Sequence, residues 1–239
     1  MPLCAGVDGC RGGWFVVLHD PDAGEPVHCI APCFADVLAL VRGAEVVALD
    51  MPIGLLAQAI PGGRTCDIEA RALLGYKRAR SVFSPPVRQA LAKTSFREAA
   101  EANRASSCHR IGISRQCFGL FHKLREVDRM MTPQRQRVVK EAHPELCFFA
   151  LNGKTPMRHS KRTREGQGER LSLLLDAGFD TLPGVIESYW AFRAKIAPDD
   201  ILDAHALCWT AARIFRSEAL RIPQEPPCDE RGLRMEIWA

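Results

Sequence analysis

The order of apolar runs in the first fifty residues constrains the fold of this chain more than any other feature. A glycine-containing turn at 9–13 separates the first two runs, which is the pattern of a β-hairpin. Apolar spacing over 34–41 predicts a helix. The predicted strands are 3–7, 14–18, 27–31 and 45–49. Three strands, a helix and a further strand predict an α/β protein built on a mixed sheet.

The remainder of the chain predicts a helical insertion followed by a return to the sheet. Helical patterns over 66–80, 87–106 and 116–131 make residues 55–140 a mainly helical insertion. The apolar run 146–151 predicts a fifth strand, and Pro198 opens a last long helix. A tight turn is also predicted at 20–25. We therefore expect one domain over 1–239, with a five-stranded mixed sheet flanked by helices.

Composition is that of an ordinary globular protein. The chain has 239 residues, 47% hydrophobic and 25% charged, with a formal net charge of +4. No apolar run reaches the roughly 18 residues that span a bilayer, and the N-terminus lacks a signal-peptide pattern. The ten cysteines contain no C-x-x-C pair, so they are read as buried apolar residues and not as a zinc site. These features predict a cytoplasmic protein without a membrane partner.

Acidic residues stand where the predicted elements begin or end. Asp8 and Asp50 each follow an apolar strand, while Asp200 and Asp203 lie three residues apart on the last helix and so share nearly one face. A sheet edge can bring such distant carboxylates together, and carboxylates that converge need a cation between them. Oxygen ligands of this kind suit Mg²⁺ or Mn²⁺. The sequence therefore predicts a metal site that handles phosphate.

Each of these acids also has a purely structural interpretation. Asp8 followed by Gly9 is a common turn sequence, and Asp200 can cap the last helix. Capping does not explain Asp203, which lies inside an apolar stretch and requires a partner. Glu145 opens the fifth apolar run and is either a further carboxylate of the cluster or a solvent-facing strand residue.

Basic residues are concentrated in two stretches, 64–80 and 154–170. Such stretches either neutralise the phosphates of a nucleic acid or form a solvated face. The candidates for phosphate contact are Arg11, Arg71, Arg78, Arg80, Lys161 and Arg162. Few aromatic residues accompany them, so the sequence shows little sign of base stacking.

Five short motifs together resemble the DUF429 family, described as predicted nucleases of ribonuclease H-like fold. The resemblance extends from about residue 3 to residue 238. The motifs are Gly6-Val7-Asp8-Gly9-Cys10-Arg11-Gly12-Gly13-Trp14, Asp50-Met51-Pro52-Ile53-Gly54-Leu55, Ser81-Val82-Phe83, His143-Pro144-Glu145 and Asp200-Ile201-Leu202-Asp203-Ala204. The acidic pair on the last helix is most similar to the resolvase variant of that fold.

The resemblance implies a catalytic role for the acidic residues. Asp8 matches the first catalytic acid of such nucleases, Asp50 the acid after the fourth strand, and Asp200 with Asp203 the helix pair. Glu145 belongs to the family's own motif. The implied reaction is phosphodiester hydrolysis with two divalent ions, in which Asp8 bridges the ions and Asp50 and Asp203 each hold one.

Two other functions remain open from the sequence. The segment Asp8-Gly9-Cys10-Arg11-Gly12-Gly13 also resembles the first phosphate loop of actin-like and sugar-kinase phosphotransferases, although no second Asp-Gly-Gly loop follows residue 54. A non-catalytic binding protein could retain the same fold. DNA or RNA is the expected partner, and a homo-oligomer is compatible with the sequence.

Overall fold

A five-stranded mixed sheet forms the centre of the fold. The computed structural model describes residues 2–20 and 24–239. In chain order the strands are β1 (Cys4–Cys10), β2 (Gly13–His19), β3 (Val27–Ala31), β4 (Val46–Leu49) and β5 (Val139–Glu141). Their spatial order is β3-β2-β1-β4-β5, with β1, β2 and β3 antiparallel and β4 and β5 parallel to β1. Two further short strands, β6 (Arg221–Ile222) and β7 (Ile237–Trp238), pair with each other.

Helices make up most of the remaining regular structure. In the described residues they are α1 (Phe34–Leu40), α2 (Thr65–Arg78), α3 (Arg88–Leu91), α4 (Phe96–Ala105), α5 (Arg115–Gly119), α6 (Phe121–Met130), α7 (Pro144–Leu151), α8 (Arg164–Asp176), α9 (Leu182–Ser188) and α10 (Pro198–Phe215). Within the same residues, no helix combines the length and apolarity needed to cross a membrane. The expected mixed α/β architecture, a five-stranded sheet flanked by helices, is confirmed.

The N-terminal elements agree closely with the sequence prediction. The hairpin, β3, α1 and β4 begin and end within a few residues of the expected bounds. β1 is longer than predicted, so Asp8 lies inside the strand, paired with Phe15 of β2, and does not terminate it. The predicted turn at 20–25 falls partly on residues 21–23, which lie outside the described residues.

The predicted fifth strand over 146–151 is wrong. Those residues belong to α7, and the fifth strand is instead β5. Six of the eight residues of α7, from Pro144 to Phe149, are buried, so the helix lacks the polar face that would have revealed a period of 3.6 residues. His143 supplies the N-cap, since its Nδ1 accepts a hydrogen bond from the backbone N–H of Glu145.

The contacts divide the described chain into two compact units. The first comprises residues 1–50, 138–220 and 238–239 and contains the sheet, α1 and α7 to α10. The second comprises residues 51–137 and 221–237 and contains α2 to α6. Its helices are shorter than predicted, because the helical stretches over 87–106 and 116–131 are each broken in two.

Close packing of α10 on β1 depends on Gly6. A Cβ atom at this position would lie 2.1 Å from the carbonyl oxygen of Ala204 and 2.3 Å from the backbone nitrogen of Cys208. Only a residue without a side chain allows the helix backbone this near the strand. The contact places the first turns of α10 over β1.

We expect Gly6→Ala to destabilise the protein by about 2–3 kcal/mol, because the added methyl group would force helix and strand apart. Gly168→Ala is the matched control: residue 168 is exposed on α8, and its Cβ would meet nothing within 4 Å. That control should leave stability unchanged or raise it by up to about 1 kcal/mol. Urea unfolding followed by circular dichroism measures both, and equal midpoints for the two variants would contradict the packing argument.

Candidate active site

Two neighbouring strands place Asp8 and Asp50 at the same end of the sheet. In the parallel pair of β1 and β4, Val7 lies opposite Leu49. The backbone N–H of Asp50 then donates to the carbonyl oxygen of Val7 at 2.9 Å, which continues the register by one residue. Asp8 is buried, whereas Asp50 is partly exposed. The two acids predicted to be neighbours are therefore adjacent on parallel strands.

α10 contributes two acids with different roles. Asp203 precedes the Ala204 carbonyl that packs on β1 and is fully buried. Asp200 accepts a hydrogen bond at 2.9 Å from the backbone N–H of Ala197 and so caps the helix. Pro198 occupies the first turn, where its missing N–H costs nothing. Asp200 therefore both caps α10 and belongs to the acidic cluster.

The charges of these carboxylates act on one another. Burial raises the pKa of Asp8 well above its ordinary value, and the negative charges of Asp50 and Asp203 raise it further. Burial also raises the pKa of Asp203, to about 7, although Lys161 opposes the increase. For Asp200, burial raises the pKa against the lowering effect of its hydrogen bond from Ala197. The structure therefore collects carboxylates whose ionised forms require a compensating cation.

Lys161 provides part of that compensation. Its Nζ lies 2.5 Å from Oδ2 of Asp203 and 3.9 Å from Oδ2 of Asp199. Burial would lower the pKa of Lys161, but the charges of Asp203 and Asp8 outweigh burial and raise it. The ammonium group therefore stays protonated within the cluster. The sequence marks Lys161 as a candidate for phosphate contact and gives no sign of its pairing with Asp203.

Glu145 is engaged in a buried ion pair. It lies on α7 and not at the start of a strand, and its Oε1 accepts from Nη2 of Arg170 at 2.6 Å. Arg170, on α8, is fully buried and was not singled out in the sequence. Arg170 holds one oxygen of Glu145, while Oε2 has no hydrogen-bond partner among the described residues. The charge of Glu145 still raises the pKa of Asp203. Glu145 is thus a buried neighbour of the cluster and does not face solvent.

Arg11 and Arg162 are both exposed in the unit that contains the acids. Arg11 lies in the turn between β1 and β2, and its positive charge lowers the pKa of Asp200, although burial dominates that shift and raises it. The turn is held by a hydrogen bond from the N–H of Gly12 to the carbonyl oxygen of Lys195 at 2.7 Å. Arg162 follows Lys161 directly. Both guanidinium groups are therefore available to a ligand.

Arg71, Arg78 and Arg80 belong to the other compact unit. Arg71 donates to the carbonyl oxygens of Val82 and Gly62, so its guanidinium supports the local backbone. Arg80 is exposed, and its guanidinium lies 5.8 Å from the ring centre of Tyr76. Arg78 is partly buried, and its carbonyl accepts from the hydroxyl of Ser81. Their predicted contact with phosphate stays a prediction.

The acidic side chains of the cluster would form a ready-made metal site only if three or more of them converged on one point. In the part of the chain that the structure describes, no group of three or more His, Cys, Asp and Glu side chains is arranged to hold a metal ion. Within the same residues, Oδ1 of the fully buried Asp203 has no hydrogen-bond partner. Buried polar atoms are normally satisfied, so this oxygen is an exception among the buried polar atoms of the cluster.

Comparison with known proteins places the chain in a family. The family described as "Protein of unknown function (DUF429)" matches residues 6–228, and the chain belongs to this family. No curated protein and no solved structure matches the chain significantly.

Proposed function

We propose that this protein is a divalent-metal-dependent nuclease that hydrolyses phosphodiester bonds at the cluster of Asp8, Asp50 and Asp203. The observation that carries the proposal is the convergence of these three acids from β1, the end of β4 and α10. Burial raises the pKa of Asp8, and the charges of Asp50 and Asp203 raise it further. An ion pair that only stabilises a fold joins opposite charges, and it does not require several carboxylates to lie close together. Perturbed carboxylates of this kind are characteristic of functional sites.

The order and direction of the strands support a ribonuclease H-like fold. Three antiparallel strands are followed by two parallel ones in the order β3-β2-β1-β4-β5. The acids lie near the carboxyl ends of β1 and β4, the edge at which α/β sheets bind their ligands. Asp50 follows β4, as the resemblance implied, whereas Asp8 lies inside β1.

The chemistry of the donors suits Mg²⁺ or Mn²⁺. All are carboxylate oxygens, the ligands that these hard cations prefer, and Oδ1 of Asp203 is buried without a partner among the described residues. Asp8, Asp50 and Asp203 would hold the ion, and Asp200 would support it. A bound divalent ion supplies an activated water and neutralises charge on the phosphate.

The basic residues of this unit have separate roles in the proposal. Lys161, whose side chain is about one-third exposed, neutralises Asp203 and would also contact the substrate phosphate. Arg11 and Arg162 are exposed and would contact phosphates of the nucleic-acid backbone, with Arg able to bind two phosphate oxygens at once. Glu145 and Arg170 would position the segment that contains Lys161.

A basic surface next to Lys161 supports nucleic acid as the substrate. The segment 154–164 contains the basic residues Lys154, Arg158, Lys161, Arg162 and Arg164. An open groove of about 600 Å³ borders this segment and is lined in part by Arg158, His159 and Glu165. Glu169 also lines the groove, but its two oxygens accept hydrogen bonds from the backbone N–H groups of Arg158 and His159. Phosphate contacts of this type bind without reading sequence.

Cleavage of labelled nucleic acids tests the proposal directly. Single-stranded DNA and RNA, duplex DNA, an RNA–DNA hybrid and a four-way junction would each be incubated with the purified full chain. Each mixture would contain Mg²⁺, Mn²⁺ or a chelator. We expect cleavage of at least one substrate with either metal and none with the chelator, because ionised carboxylates alone repel the phosphate.

Absence of cleavage with every substrate and both metals would contradict the nuclease proposal. Nucleotide hydrolysis or phosphoryl transfer measured on ATP under the same conditions would then identify the phosphotransferase alternative. Chelator-insensitive cleavage would also contradict the proposal, since it would point to a contaminating or different activity.

A further inference from the structure

A short aromatic segment between α9 and α10 leaves two large rings exposed. Residues Tyr189–Phe192 form a single 3₁₀ turn directly after α9. The side chain of Trp190 is 60% exposed and that of Phe192 is 50% exposed. Single exposed apolar residues are common on protein surfaces, whereas neighbouring exposed rings form a patch, and such patches mark binding sites.

The protein core anchors this segment through Tyr189. The ring of Tyr189 packs edge-on against the ring of Phe15, with 5.1 Å between the ring centres. It also lies 5.9 Å from the ring of Phe192. Phe15 is fully buried on β2. The exposed rings therefore belong to a turn that is attached to the core and not to a free loop.

The same anchor brings the segment to the acidic cluster. Phe15 lies directly opposite Asp8 in the antiparallel pair of β1 and β2. Side chains of such cross-strand pairs lie on the same face of a sheet, so Tyr189 contacts the face that carries Asp8. The chain then continues from the aromatic turn into α10, whose first turn contains Asp200. The aromatic patch is therefore next to the candidate active site.

The turn between β1 and β2 holds the other end of the segment. The N–H of Gly12 donates to the carbonyl oxygen of Lys195 at 2.7 Å, and a Cβ atom at Gly12 would lie 2.9 Å from Cβ of Lys195. Arg11 precedes Gly12 in this turn and is exposed. Burial raises the pKa of Asp200, and the positive charge of Arg11 opposes the increase. Arg11 is therefore close to both the acids and the aromatic segment.

The charges around the exposed rings are positive. The guanidinium of Arg193 lies 5.7 Å from the ring centre of Trp190 and donates to the carbonyl oxygen of Trp190 at 3.2 Å. Lys195 is also exposed. The stretch 188–197 contains no Asp or Glu, although the exposed Glu187 lies just before it. This surface therefore complements an anionic partner.

An unpaired nucleotide fits this combination of rings and cations. Its base has a flat face that stacks on an aromatic ring, and its phosphate is attracted by basic side chains. In a duplex the faces of each base are covered by the neighbouring base pairs, so stacking on a protein ring requires an unpaired base. The aromatic segment lies outside the basic stretches 64–80 and 154–170, whose sequences show few aromatic residues.

We propose that the segment 189–195 binds the unpaired bases of a single-stranded nucleic acid, with Trp190 as the principal stacking ring. The three cations of the patch, Arg11, Arg193 and Lys195, would contact the flanking phosphates. The inference rests on the proposed function and names its substrate class, which is a strand with unpaired bases next to the bond that is cleaved.

Binding of labelled oligonucleotides tests the inference without cleavage. Fluorescence anisotropy would measure the affinity of the purified full chain for single-stranded DNA and RNA, for a duplex of the same sequence and for an abasic DNA strand, all with a chelator present. We expect the single strands to bind more tightly than the duplex and the abasic strand. Trp190→Ala should weaken single-strand binding about 10-fold and leave abasic binding unchanged, because only stacking is lost. Trp190→Phe, which retains a ring, should keep most of the affinity.

Phe215→Ala is the matched control. Phe215 is 46% exposed and is followed by the exposed Arg216, so it is also an aromatic residue beside an arginine. It ends α10, about 18 Å along the helix from Asp203. We expect this variant to change single-strand affinity by less than about twofold, since surface changes away from a site have small effects. Circular dichroism should show unchanged spectra for all three variants.

Each result has a defined meaning. Equal single-strand affinity of the wild type and Trp190→Ala, equal affinity of the wild type for normal and abasic strands, or no binding of either single strand would overturn the inference. Dimerisation that Trp190→Ala abolishes, with unchanged nucleic-acid binding, would overturn it and assign the patch to a second copy of the chain.

The same measurements separate this inference from the nuclease proposal. Metal-dependent cleavage together with equal single-strand affinity of the wild type and Trp190→Ala would overturn the inference and leave the nuclease proposal intact. Base-dependent binding that Trp190→Ala weakens, without cleavage of any nucleic acid by the wild type, would support the stacking site and contradict only the nuclease proposal.

Discussion

Asp8→Asn is expected to reduce metal-dependent cleavage by on the order of 10³-fold, which corresponds to about 4 kcal/mol of transition-state stabilisation. Asn has the shape of Asp but lacks the negative charge that would hold the divalent ion. The position is buried between β2 and β4, so a solvent carboxylate cannot replace the lost one. Initial rates of cleavage at saturating Mg²⁺, with the substrate that the wild type cleaves best, measure the loss.

The same substitution is expected to stabilise the metal-free protein by about 1 kcal/mol, because functional sites keep destabilising groups. Burial first, and then Asp50 and Asp203, raise the pKa of Asp8 in the folded state above 3.8. The protonated form of Asp8 therefore stabilises the folded state. This contribution is fully present below pH 3.8 and is lost as the pH rises through the folded-state pKa of Asp8. Asn cannot ionise. The urea midpoint of Asp8→Asn should exceed that of the wild type most at pH 8, and the difference should shrink toward pH 4.

Asp176→Asn is the matched control for Asp8→Asn. Asp176 is an exposed carboxylate at the end of α8, in the same compact unit. We expect Asp176→Asn to change the cleavage rate by less than about twofold. It should change the free energy of unfolding by less than about 0.5 kcal/mol at every pH, as is usual for surface positions. Wild-type cleavage by Asp8→Asn would remove the carboxylate cluster from the mechanism. Reduced stability of Asp8→Asn at pH 8 would show that the like charges do not oppose folding.

Local patterns were sufficient to predict four of the five strands of the sheet. Alternating or continuous apolar runs bounded by glycine and proline placed β1 to β4 because each element is short and its limits are marked by turn residues. The run 146–151 was misassigned because a buried helix and a buried strand are both continuously apolar. The informative signal was local chemistry: His143 as N-cap and Pro144 in the first turn of α7.

The acids of the site could be identified from sequence, but their cationic partners could not. Asp8, Asp50 and Asp203 were recognisable because strand ends and a helix face define their positions. The partner of Asp203 lies 42 residues earlier in the chain, and the partner of Glu145 lies 25 residues later. No local rule predicts such pairings, since they arise only when α7, α8 and α10 pack together.

Arg170→Met is expected to destabilise the protein by about 3–5 kcal/mol, the usual cost of leaving a buried charge without its partner. Arg170 is fully buried and satisfies Oε1 of Glu145 as well as the carbonyl oxygens of His159 and Gly166. Methionine fills similar space but donates no hydrogen bond. Urea unfolding measures the loss, and amide hydrogen exchange should show faster exchange concentrated in residues 158–166, where the backbone loses its anchor.

The pair, and not the arginine alone, determines this cost. In the double variant Glu145→Leu/Arg170→Met neither charge of the pair is left, so we expect most of the stability to return, with a coupling energy of roughly 2–3 kcal/mol. Exchange over 158–166 should remain fast in the double variant, because the carbonyl oxygens of His159 and Gly166 still lack a donor. Arg164→Met, an exposed change on α8, should alter neither quantity. If the double variant were no more stable than Arg170→Met, the backbone hydrogen bonds would account for the loss. The Glu145 charge would then be compensated by another group.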